Sequence, residues 1–216
     1  MITENTGAAT AQEIAYMADL DERLQRNPDD VDALLRKGFL FLDSFHRFDE
    51  AIEILTSIVV RYPSNVDAHL WLGECLCFRI GDTIEAERIM QAALKIDPNR
   101  ADCHMVLAAS FEGLCRDSDA EFHYRRASEL EPTWILPRRY LANIFACRGE
   151  LVKAKQELEK ALLYVPDVEV FNETYDPIKE YQESFMSGQN DPAQKKMILD
   201  WIDEIDVKIA EKNKNT

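Results

Sequence analysis

The chain has 216 residues, 46% of them hydrophobic and 30% charged, with only 7 Gly and 8 Pro. That is enough apolar material for a buried core and too little glycine for many tight turns or phosphate loops, so helices are favoured. A formal charge of −15 repels nucleic acid phosphates and anionic membrane surfaces, which argues against both as partners.

In chain order, Met1-Ile-Thr-Glu-Asn-Thr-Gly lacks the basic start and apolar run of a signal peptide. Residues 1–10 are expected to be a flexible N-terminus. No run of 18 apolar residues occurs anywhere, so no direct membrane insertion is expected. Residues 11–27 are predicted to form an N-terminal capping helix, with Ile14, Met17, Leu20 and Leu24 on one face. Arg26-Asn27-Pro28 ends it.

A repeat then emerges from the prolines. Pro28, Pro63, Pro98, Pro132 and Pro166 are spaced 35, 35, 34 and 34 residues apart. Each follows an apolar-periodic run that it cannot continue. Ten residues after the first four prolines stand Gly38, Gly73, Ala108 and Ala142, followed three further on by Phe41, Leu76, Phe111 and Phe145. Before each closing proline come Ala51, Ala86, Ala120 and Ala154, then Leu55, Met90, Tyr124 and Leu158, then Ile58, Ala93, Ala127 and Ala161. Small residues at fixed slots let two antiparallel helices approach closely, and the large ones fill the space between successive pairs. Neither helix of a pair buries its stripe alone, so stacking supplies the partner.

These slots resemble the tetratricopeptide repeat, whose pattern runs W-x2-L-G-x2-Y, A-x3-F, P. Leu72-Gly73-x-x-Leu76 with Ala86-x3-Met90, Ala93 and Pro98 is a close match. Leu107-Ala108-x-x-Phe111 and Leu141-Ala142-x-x-Phe145 open the next two repeats. The first repeat departs by placing Lys37 where the leucine belongs, and the first aromatic slot holds Leu34, His69, His104 and Arg138, never Trp. Repeats one and two each carry an extra residue at the turn between their helices. The resemblance covers four repeats over 31–166 and implies an all-α fold, a right-handed superhelical α-α solenoid of helix pairs.

Beyond the repeats, residues 167–216 are expected to form a C-terminal helical cap with a frayed end. Asp176-Pro177 and Asp191-Pro192 mark helix starts near 177 and 192. The second helix, to about residue 212, carries Ile198, Trp201, Ile202, Ile205 and Ile209 as its apolar stripe. Capping the last repeat is its expected role; a homodimer through Trp201 and Ile205 is the alternative.

Chemistry is sparse. No nucleotide loop, nucleophile elbow or metalloprotease helix motif occurs. His69 and His104 fall in a packing slot, and the odd set Cys75, Cys77, Cys103, Cys115 and Cys147 contains no Cys-x-x-Cys pair. No metal, no cofactor and no enzymatic activity are therefore expected, and the free thiols fit a reducing, cytoplasmic setting.

The resemblance implies a partner protein or peptide held along the concave face made by the first helices of the repeats. Register places Leu35, Phe39, Leu42, Leu70, Glu74, Phe78, Met105, Arg139 and Asn143 on that face. Arg139 belongs to a cluster with Arg125, Arg126, Arg138 and Arg148, and would receive an acidic stretch of the partner. Co-chaperones of this family grip C-terminal carboxylates with basic and amide residues, but those slots here hold Leu35, Phe39, Trp71, Asp102 and Val106, which disfavours that partner. The expected function is a protein-binding adaptor. The alternative is a dedicated chaperone for a secreted or membrane-inserting client, like the small chaperones of type III secretion.

Overall fold

The computed structural model describes residues 10–165 and 192–214. Residues 1–9, Pro166 and the expected helix near 177–187 lie outside them. Among the described residues every regular element is a helix. The chain divides into two compact units, Met1–Pro98 and Asn99–Thr216.

The first unit opens with α1 (Ala11–Arg26), followed by the pair α2 (Val31–Asp43) and α3 (Phe48–Arg61). A second pair joins α4 (Val66–Glu74) to α5 (Thr83–Ile96) through a π-helical segment, Cys75–Ile80. Thr10 starts α1 with a capping box, its hydroxyl accepting from the Glu13 N–H while the Glu13 carboxylate accepts from the Thr10 N–H. Leu20 is buried, with Met17 and Leu24 partly so, but Ile14 is 56% exposed. Ile14 lies in the first turn of α1, and the apolar contact fades there.

The second unit contains α6 (Ala101–Gly113) with α7 (Asp117–Leu130), then α8 (Ile135–Cys147) with α9 (Leu151–Leu162). The last helix, α10, spans Pro192–Lys214 and packs against α9. Its Ile198, Ile202 and Ile205 are buried, and Lys155 of α9 pairs with Asp206 at 2.5 Å.

Local chemistry explains why helices begin and end where they do. Asn27, Tyr62 and Glu131 each precede a proline and leave the helical region, with ψ of 94°, 68° and 82°. Their carbonyls then accept from the N–H groups of Asp30, Asn65 and Trp134, closing turns with proline in second place. Asp30 and Asn65 in turn cap α2 and α4, accepting from Ala33 and Ala68 at 3.0 and 2.8 Å. The proline thus ends one pair, and the residue two places on starts the next.

The turn inside each pair has one rule. The carbonyls of Phe41, Leu76, Phe111 and Phe145 accept from the N–H groups of Arg47, Asp82, Arg116 and Glu150 at 2.7–2.9 Å. The residue before each donor is left-handed: His46, Gly81, Cys115 and Gly149, with φ of 52°, 83°, 57° and 74°. The extra residue of the first two pairs is absorbed inside this bond. In the first, Phe45 N–H reaches back five residues to Leu40; in the second, the same widening becomes the π-helical segment.

The core follows the repeated slots. Ala51, Ala86, Ala120 and Ala154 are fully buried, as are Leu55, Met90, Tyr124 and Leu158. A β-carbon placed on Gly38 would stand 3.1 Å from Leu55, so the small slot of the first helix faces the large slot of the second. Replacing Ala154 with Leu should therefore destabilise the chain by about 1–3 kcal/mol through overpacking. The exposed Val152→Ala on the same helix should stay within about 0.5 kcal/mol. Denaturant midpoints measure both.

Candidate functional site

The residues expected on the first-helix face divide sharply. In the first unit Phe39, Leu42, Leu70 and Glu74 are all less than 4% exposed. Phe39 of α2 meets Trp71 of α4 edge-to-face, with centroids 4.9 Å apart. Met105 in the second unit is likewise buried. These side chains hold neighbouring helices together and offer no surface for a partner as they stand. Half-buried Leu35 and Phe78, 43% exposed, remain accessible in the first unit. Register along a helix gives a direction but does not say whether a neighbouring helix fills it.

In the second unit the expectation converges on a pocket. Arg139 and Asn143 lie one turn apart on α8 and face the same cavity of about 250 Å³ with Leu136 and Tyr140. Trp201 of α10 also lines it. The register pointed to Arg139 and Asn143; Trp201 was legible only as part of an apolar stripe far along the chain. Ile205, the other residue considered for self-association, is buried within this unit.

Among the described residues, uncharged groups hold Arg139. One terminal nitrogen donates to the Gln194 side-chain oxygen at 2.9 Å and the other lies 3.7 Å from the Met197 sulfur. Its Nε is buried with no acceptor. Burial lowers its pKa from the usual arginine value, with a small opposing effect from Tyr140. The other arginines of the cluster differ. Arg138 pairs with Glu157 at 3.3 Å, Arg125 and Arg148 share Glu121 at 2.6 and 2.5 Å, and Arg126 meets Glu129 at 3.4 Å. Among the described residues no carboxylate pairs with Arg139.

The groups considered for metal or thiol chemistry are engaged in packing. His69 sets its Nδ1 2.8 Å from the Asn65 carbonyl, within its own helix turn. His104 places Nδ1 2.8 Å from Nδ1 of His123, the rings stacked with centroids 5.0 Å apart. Burial, reinforced by His104, pushes the His123 pKa down to about 4 against a weak opposing pull from Asp119. Sequence reading did not single out His123, because its partner lies across a helix pair. Burial and the neighbouring Glu74 carboxylate push the Cys75 thiol up to about 11, so it stays protonated. All five cysteines are free. Among the described residues no three His, Cys, Asp or Glu side chains are placed to hold a metal, and no helix is long and apolar enough to cross a membrane.

Comparison with known proteins places the architecture. Residues 44–110 match the family model described as tetratricopeptide repeat. Over 132 residues the chain is 27% identical to tetratricopeptide repeat protein 37 of Xenopus laevis, a stretch that is 59% of this chain and 8% of that protein. The chain therefore spans a small part of the curated relative it matches. Among solved structures, MamA aligns with a TM-score of 0.60 at 22% identity, over 68% of this chain and 85% of MamA. TTC0263, a thermophilic TPR protein of Thermus thermophilus, aligns with a TM-score of 0.62 at 23% identity, over 72% and 84% of the two chains. At these identities the likeness is one of fold, a solenoid of paired helices.

Two outcomes follow from the buried charges. Arg139→Met should leave the chain at least as stable as it is now, because a half-buried cation with no counter-ion among the described residues is replaced by an apolar chain of similar reach. A drop in unfolding midpoint beyond about 1 kcal/mol would show instead that the Gln194 contact is structural. For the histidine pair, the folded pKa of His123 lies below its unfolded value, so unfolding takes up a proton between pH 6.5 and about 4. The stability it contributes is full above pH 6.5 and is lost as pH falls through that window. His123→Phe should flatten the fall in melting temperature across it.

Proposed function

We propose that this chain, a member of the tetratricopeptide repeat family, acts as an adaptor that holds a segment of a partner protein against its first-helix face. Such folds serve in general as protein-interaction scaffolds. The single observation that carries the finer reading is Arg139, a guanidinium that lines a pocket and, among the described residues, pairs with no carboxylate. In a chain with 40 acidic and 25 basic residues, an arginine left this way is a matter of placement and not of supply.

The ligand chemistry follows from the walls. A carboxylate accepts charge-assisted hydrogen bonds from Arg139, and Asn143 supplies a neutral donor beside it. Trp201, Tyr140 and Leu136 line the same pocket, and apolar walls beside a charge strengthen its pairing. The pocket thus suits an Asp or Glu side chain flanked by aliphatic or aromatic residues. The five free cysteines support a reducing, cytoplasmic setting.

A photo-crosslinker introduced at Asn143 should join the chain to a partner segment containing Asp or Glu, identified by mass spectrometry. Losing a hydrogen bond to a charged group removes about 1.5–3 kcal/mol, so Arg139→Glu should weaken that partner by at least about tenfold. Helical circular dichroism should be unchanged. Undiminished affinity in Arg139→Glu, or crosslinks only to basic segments, would overturn the reading.

A further inference from the structure

The Arg139 pocket is built from two stretches of chain that the repeat does not join. Leu136, Arg139, Tyr140 and Asn143 come from α8, and Trp201 comes from α10. Among the described residues, both groups that hold the Arg139 side chain also come from α10. Gln194 accepts from one terminal nitrogen at 2.9 Å, and the Met197 sulfur lies 3.7 Å from the other. The guanidinium belongs to α8, but α10 aims it.

On α10 the residues of the site and the residues of the helix's own packing run side by side. Gln194, Met197 and Trp201 are spaced by three and four, and so are Ile198, Ile202 and Ile205, which makes two neighbouring stripes of one helix. The second stripe is buried where α10 packs on α9. The first reaches the pocket only while the second is seated. Lys155 holds the seat from the α9 side: it meets Asp206 of α10 at 2.5 Å and Glu159 of its own helix at 3.9 Å, and Asp203 of α10 adds to the negative field around it. Reversing the charge at Lys155 would set it against all three carboxylates.

The residue type at 194 matters as much as its place. Glutamine and glutamate have the same length, and either would accept a hydrogen bond from Arg139. A glutamate would complete an ion pair inside the chain, and an outside carboxylate would first have to displace it. The neutral amide orients the guanidinium and leaves its charge to a ligand.

We infer that α10 is half of the Arg139 site, and that Gln194 is its positioning residue: with the helix seated on α9, the amide aims the guanidinium into the pocket and keeps it open to an outside carboxylate. This rests on the reading of the pocket as a carboxylate site. Ligand and seated helix favour the same arrangement of Arg139, so each strengthens the other.

The test uses the full chain, labelled with ¹⁵N, and acetyl-Leu-Glu-Leu-amide as the probe. Without the probe, the Nε–H resonance of Arg139, assigned by its loss in Arg139→Lys, should be sharp. Lys155→Glu should broaden it or move it to the position of an exposed arginine, and adding Asp206→Lys should bring it back. Gln194→Ala should have the same effect with α10 left in place. With the probe, Gln194→Glu should bind at least about tenfold more weakly than the unaltered chain and melt no lower. A merely structural role for Gln194 would leave the probe's affinity unchanged there. The inference is overturned if the Arg139 resonance ignores Lys155→Glu or Gln194→Ala in folded protein, or if Gln194→Glu binds the probe as tightly as its parent. If the unaltered chain ignores the probe while its Arg139 resonance follows Lys155, the carboxylate reading of the pocket falls and the hold of α10 on Arg139 stands.

Discussion

Two helices can bury their apolar stripes against each other only as far as their closest contact allows. In this chain that contact is the same in every pair. Gly38 faces Leu55 so closely that a β-carbon would stand 3.1 Å away, and one on Gly73 would run into the end of Met90. Ala108 and Ala142 take the small position in the second unit and are fully buried. Because the interior is close-packed, the separation set there fixes where the alanine slots of the second helices must lie. A period of 34 or 35 residues is the distance along the chain at which this constraint returns.

The turns obey the same economy. In each pair the carbonyl of the large apolar residue is tied to the N–H that opens the second helix. That bond is kept whether five or six residues separate its ends, and whether the residue before the donor is Gly81, Gly149, His46 or Cys115. A left-handed conformation costs a non-glycine residue roughly 1–2 kcal/mol. The turn imposes it at His46 and Cys115 because the packed pair determines the path, with the residue type following where it can. The additional residue in the second pair widens the helix into a π-helical segment and leaves the core slots in place.

How much was legible in the sequence depends on which kind of constraint a residue answers to. Slots that repeat in every pair were readable because four copies of one solution stand in a single chain: Ala51, Ala86, Ala120 and Ala154 are all fully buried. Residues on the first-helix face were harder. Phe39 and Phe78 share that face by register, yet Phe39 is sealed against Trp71 while Phe78 is open. Periodicity reports the angle around a helix and says nothing of how far the neighbouring helix reaches along it. Trp201 beside Arg139, and His123 beside His104, were not legible at all as neighbours. The last helix lies outside the repeat, and the slot of His123 holds Ile54, Ile89 and Glu157 in the other pairs, so neither contact recurs along the chain. Lys37 was visible as a departure from the pattern, but only the structure shows that its ammonium meets Asp21.

Two adjacent arginines of α8 are met in different ways. Arg138 has Glu157 opposite it at 3.3 Å, an ion pair in which each side chain is 14% exposed. At Arg139 the neighbours among the described residues are Gln194 and Met197, which orient the group without an opposite charge. A salt bridge there would stabilise the free chain and would also have to be broken before any outside carboxylate could bind. Orientation by neutral groups avoids that competition: Gln194 and Met197 fix the guanidinium without setting an opposite charge against it.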